Sequence, residues 1–149
     1  MELDSNEVVK KIEEYRKDYS CSQATLMGIC EVAGMPTEEL ALLAKGFSGG
    51  IGGTFSEGTC GAVTGAVIAL GLLGADEKQI ISASKKLFNE FKDKFNIQKT
   101  IGNIPLTHHH SLTADSGRNH HFMIVGIIGG NSLQNPLLED QINDQRNGD

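Results

Sequence analysis

GFSGGIGGTFSEGTCGAVTGA, residues 46–66, is the stretch around which this chain is read. It opens with Gly46, Gly49, Gly50, Gly52, Gly53 and Gly58, then turns into an apolar segment of small residues led by Thr59 and Cys60. Glycine permits positive φ and close backbone approach, so this density predicts a folded-back loop rather than slack chain. Thr59 is a candidate N-cap, which puts Cys60 in the first turn of the helix that follows. Unpaired backbone N–H groups and the positive end of the helix dipole there favour thiolate over thiol.

The helix after the loop, 60–73, carries Gly61, Gly65 and Ala69 at a spacing of four, beside Ala62, Ala66 and Leu70. Such a small-residue seam lets helices approach closely. The segment is apolar on every side, which predicts the most buried helix of the fold.

Outward from it, the sequence predicts four more helices. Residues 5–17 carry an apolar stripe of Val8, Val9, Ile12 and Tyr15, with Ser5 as the N-cap. Residues 20–33 begin with Ser20 and Gln23 in capping-box spacing, so Cys21 also falls in a helical first turn. Cys30, among Leu26, Met27, Ile29 and Val32, reads as a buried small hydrophobe on the opposite face. Residues 37–45 form a short helix capped by Thr37, with Leu40, Leu43 and Ala44 toward the core. Residues 76–95 open on the capping pair Asp76 and Gln79. They place Ile80, Ser84, Leu87, Phe91 and Phe95 on one stripe, flanked by Ile81 and Phe88. The fold class expected is all-α: a compact bundle of about five helices, with a glycine-rich loop before a buried Gly/Ala-rich helix.

Composition narrows the function. The net charge of −6 lacks the basic footprint that nucleic acid or an anionic membrane surface requires. The apolar runs 66–73 and 122–130 are too short to span a bilayer, and the charged N-terminus reads as no signal peptide. A cytoplasmic protein is expected. Three cysteines, an odd number, suit reactive or metal-binding use better than permanent disulfides.

After about residue 104 the character changes. All five histidines, His108, His109, His110, His120 and His121, lie beyond it, without helical spacing. Three adjacent imidazoles cannot comfortably face one ion, so no metal site is assigned to them. Residues 1–104 are expected to form the helical domain. Residues 105–149 are expected to be a divergent, partly disordered tail.

Other chemistries fail on spacing. No Lys follows the glycines as a phosphate-binding loop requires, and Phe55 stands where the third Gly of a dinucleotide fingerprint belongs. The Cys21–Cys60 pair remains: two thiols, each at a capped helix start, able to form a reversible disulfide or share a metal if those ends meet.

YSCSQATL (19–26), GFSGGIGG (46–53) and TCGAVTGAVIALGLLG (59–74) together resemble the redox-active family named for the cysteine pattern C_GCAxxG_C_C. The resemblance runs from about residue 8 to about residue 102 and implies a small helical domain with thiol redox function. By position, Cys21 matches the first family cysteine, Cys60 the second and Gly65 the motif glycine. Gly61 is an extra residue between Cys60 and Ala62. The two later family cysteines are missing, one of them expected near Ile97 or Gln98. The function expected is thiol redox chemistry through Cys60, as nucleophile, and Cys21, as resolving thiol. A metal- or ligand-binding module using the same cysteines, and a structural domain that has lost redox activity, remain as alternatives. Cofactor, substrate and redox partner are not specified by these residues, and a homo-oligomer stays open.

Overall fold

The computed structural model describes residues 3–54 and 58–94 of the chain. Among them are five helices and no strand: α1 (Ser5–Tyr15), α2 (Cys21–Val32), α3 (Leu40–Lys45), α4 (Gly61–Leu72) and α5 (Glu77–Lys94). The boundary expected at residue 104, the five histidines and the tail lie outside the described residues, as does Phe95. Among the described residues, no helix is long and apolar enough to cross a membrane.

The apolar period of α1 buries Val8, Val9 and Ile12. Its N-cap is Asp4, not Ser5: the Asp4 carboxylate accepts from the Asn6 amide at 2.8 Å and the Glu7 amide at 3.3 Å. A carboxylate satisfies orphan amides and also meets the positive helix end, so Ser5 becomes the first helical residue.

The centre of the bundle is α2, which packs against α1, α3 and α4. Every residue from Ser22 to Cys30 is buried. Gly28 makes the crossing with α1, since a Cβ there would lie 2.6 Å from Ile12 Cγ1 and 2.9 Å from the Ile12 backbone nitrogen. The sequence had pointed to α4 as the most buried helix. Instead α4 buries Gly61, Ala62, Val63, Gly65, Ala66, Ala69 and Leu70, while Val67, Ile68 and Leu72 stay half-covered. An apolar surface all round signals burial only where neighbours exist to cover it, and here it is α2 that lies among three of them.

The spacing-of-four seam on α4 is used where it meets α2. A Cβ at Gly65 would run into the Ser22 carbonyl oxygen and lie 3.2 Å from Thr25 Cβ. The other side of α4 receives α5 through Ala83, Leu87 and Phe91, with Ile80 half-buried. Ile81 is 71% exposed and Ser84 is half-buried with its Oγ enclosed, so the stripe runs through Ile80, Ser84, Leu87 and Phe91 and is widened by Ala83. The Asp76–Gln79 pair caps reciprocally, both hydrogen bonds at 2.9 Å.

Helix α3 is shorter than the periodicity suggests. Residues 37–39 form a turn, with the Leu40 amide donating to the Thr37 carbonyl at 3.1 Å. Ala44 is buried, but Leu43 is 53% exposed rather than core-facing. After α3 the chain doubles back: the Gly52 amide reaches the Gly46 carbonyl at 2.8 Å, and that of Gly53 the Ser48 carbonyl at 3.0 Å. Gly49, Gly50, Gly52 and Gly53 all adopt positive φ, which makes this path accessible to glycine.

Candidate functional site

The first residue of α2 is Cys21, directly after the N-cap Ser20. Ser20 and Gln23 form the capping box read from the sequence, and the Ser20 amide donates to Gln23 Oε1 at 3.2 Å. These two side chains, with that of Ser22, tie this helix start to its surroundings. Gln23 Nε2 donates to the Ala41 carbonyl at 2.9 Å, and Ser22 Oγ to the Ala44 carbonyl at 3.0 Å. Ser48 Oγ in the glycine loop donates to Ser20 Oγ at 2.7 Å. Buried Ser22 and Gln23 are thus satisfied by carbonyls of α3, which holds the cysteine-bearing turn in place.

Cys60 sits one position earlier than expected. It is the N-cap of α4 itself, with extended φ −53° and ψ 131°, and Thr59 precedes the cap. Cys21 and Cys60, both partly exposed and both free, are brought together: Cys21 Sγ lies against Gly61, the residue after Cys60, where an added Cβ would stand 2.7 Å from it, and each thiol shifts the other's ionisation. Cys30 is not part of this site. It lies fully buried in the core, where burial pushes its thiol up to about 12.

The two paired thiols differ electrostatically. The hydrogen bond from Cys60 is the largest influence on Cys21 and brings its pKa down to about 6, against the opposing effect of burial. The Arg16 guanidinium and the backbone amides of Ser22 and Gly61 act in the same direction. Cys60 moves the other way. Donating to Cys21, being buried and facing that negative charge all raise it, and the amides of Ala62 and Val63 offset this only in part. Two sulfurs in contact cannot both carry charge cheaply, so one keeps the proton and shares it with the other.

Arg16 is a contributor that the sequence reading missed. It stands at the C-cap of α1, and its guanidinium donates to the Tyr19 carbonyl at 3.0 Å, across the turn that leads into Cys21. Its position five residues before Cys21, just past the apolar stripe of α1, was the available signal. The amide of Gly61 could not be seen as a contributor from spacing, because it acts across the α2–α4 contact.

Among the described residues, no group of three His, Cys, Asp or Glu side chains gathers in an arrangement that could hold a metal ion. What the site does offer is two free thiols at adjoining helix starts, one of them lowered to about 6, a pairing suited to thiol–disulfide exchange. Comparisons with curated proteins and with solved structures return no match. A family model described as "Putative redox-active protein (C_GCAxxG_C_C)" matches residues 19–113, well over half of the chain and spanning both paired cysteines, and the chain belongs to that family.

Proposed function

We propose that the protein is a two-thiol redox carrier in which Cys21 and Cys60 alternate between a hydrogen-bonded dithiol and an intramolecular disulfide. The observation that carries this reading is the meeting of the starts of α2 and α4, which sets the Cys21 sulfur against Gly61, the residue next to Cys60. The family's redox description supports it at the level of class.

The electrostatics favour Cys21 as the attacking sulfur, the reverse of the assignment expected from loop accessibility. Its thiolate attacks one sulfur of a partner disulfide, forming a mixed disulfide and releasing the other partner sulfur as thiolate. Cys60 then gives up its proton, which ends on a released partner thiolate, and attacks Cys21 Sγ. The Cys21–Cys60 bond forms, the mixed disulfide breaks, and the second partner sulfur leaves, so that the partner ends as one thiol and one thiolate. The partner disulfide has gained two electrons and this chain has lost two. Reduction runs the same steps backward. With two thiols sufficing for exchange, the missing later cysteines are not needed for this cycle. Three free cysteines suit a reducing, cytoplasmic setting.

Mild oxidation by a disulfide reagent, followed by thiol counting and peptide mapping, tests the reading. The expected product is a monomeric chain with Cys21 linked to Cys60 and Cys30 still free, reversible by dithiol reductant. Cys21→Ser and Cys60→Ser each abolish that link. Failure to form it under conditions that oxidise a low-molecular-weight dithiol refutes the proposal. Stoichiometric metal bound through both sulfurs, in protein purified without a metal column, would favour the binding-module alternative.

A further inference from the structure

Residue 61 decides whether the Cys21 sulfur fits between the two helix starts. Gly61 is buried and is the first residue of α4, directly after Cys60. A Cβ at this position would lie 2.7 Å from Cys21 Sγ, 2.8 Å from the Ser22 backbone nitrogen and 3.0 Å from Ser22 Cβ. The sulfur could swing away, but the Ser22 nitrogen is part of a helix enclosed on three sides and cannot. The first amides of a helix have no partner within it. Here the Cys21 sulfur lies against the first residue of α4, and the backbone amides of Gly61 and Ser22 both act to lower its pKa.

We propose that Gly61 is a positioning residue for Cys21: its amide, with that of Ser22, anchors the sulfur from the opposite helix, and its missing Cβ lets the two helix starts close around it. The arrangement follows the logic of an oxyanion hole, with donors from two rigid elements fixed on one atom before charge develops there. The charged and titratable groups facing that sulfur are Cys60 and Arg16. The use made of the anchored sulfur rests on the dithiol reading above. The anchoring itself is a property of the reduced protein.

Two measurements test it on the full-length reduced chain. In the wild type, amide NMR followed between roughly pH 4 and pH 9 brackets the Cys21 titration. The Gly61 amide proton is expected to shift with the midpoint of Cys21 alkylation, read by mass spectrometry. Gly65, one turn further along α4, is expected to shift far less. A Gly61 amide that ignores the Cys21 titration overturns the proposal.

The second measurement compares Gly61→Ala, which adds a Cβ and keeps the amide, with Gly61→Pro, which also removes the amide at a helix position where proline is otherwise favoured. The alkylation midpoint of Cys21 is expected to rise in the order wild type, Ala, Pro. The full shift should be about one pH unit, as for loss of one charge-assisted hydrogen bond. Wild-type midpoints in both folded variants overturn the proposal. If the variants do not fold, the wild-type NMR titration decides alone. A wild-type chain that never links Cys21 to Cys60, yet whose Gly61 amide follows the titration, refutes the redox carrier and upholds the anchor. The opposite pair of results refutes the anchor alone.

Discussion

The starts of α2 and α4 present the same thiol to each other from positions one residue apart in helix register. Cys21 is inside its helix, behind a serine cap that a glutamine and a loop serine hold in place. Cys60 is the cap itself and makes no side-chain capping hydrogen bond. The helix-start argument, applied to each cysteine separately, predicts two thiolates. The contact between them allows one. Cys60 itself, Arg16 and the amides of Ser22 and Gly61 lower the Cys21 thiol, while Cys60 is raised by Cys21 and by burial. A local rule thus holds at the site that wins the competition and is inverted at its neighbour.

The largest effect is expected from separating the two starts. Gly65→Leu forces a side chain against the Ser22 carbonyl and Thr25. It should destabilise the fold by about 2–3 kcal/mol in a denaturant melt, net of the helix propensity gained. A variant as stable as wild type would mean that this seam is not what brings the thiols together.

The asymmetry itself is sharpened by Cys60→Ala, which removes the donor to Cys21. The alkylation midpoint of Cys21 should rise by about one pH unit or more, a roughly tenfold loss of labelling below the midpoint. Cys21→Ala should do the reverse and make Cys60 easier to ionise. Unchanged labelling in both variants would break the comparison.

A smaller effect is expected in stability against pH. Between about pH 6, the folded value for Cys21, and its ordinary 9.0, the unfolded chain holds a proton that the folded chain has released. Stability from Cys21 is therefore fully present above the ordinary value and lost as pH falls through about 6. Relative to Cys21→Ser, the reduced protein should gain about 1–2 kcal/mol across that window, discounted for partial solvent screening. Cys30 works in the opposite sense: with its thiol raised to about 12, stability falls as pH climbs from 9.0 toward that value. A flat difference curve for Cys21 would remove the thiolate from the account.

The helices were legible because their signals are local. The stripe of α1 and the capping pairs Ser20–Gln23 and Asp76–Gln79 depend on residues within one turn of each other. The cap before Cys21 and the four-residue seam also came through, for the same reason, whereas Cys60 proved to be the cap itself. What did not come through is set by neighbours distant in sequence. Ser22 and Gln23 look like surface residues until the carbonyls of Ala44 and Ala41 arrive to accept from them. That arrival is what lets α2, and not the more apolar α4, occupy the centre. Which sulfur holds the proton depends on Arg16 and the Gly61 amide, neither of which has a periodicity to read.

Two glycines of the turnback before α4 resist substitution for unrelated reasons. At Gly52 nothing lies within 4 Å of where a Cβ would stand, and φ is +59°. The obstacle there is chirality, so D-alanine would be accommodated where L-alanine is strained. At Gly58 a Cβ would come within 2.6 Å of both Gly50 Cα and the Ile51 nitrogen. Volume is the obstacle at that site, since the bare methylene is what allows the backbone-to-backbone contact. One segment therefore contains a mirror-image tolerance and a size exclusion side by side, and a chemically synthesised chain could tell them apart.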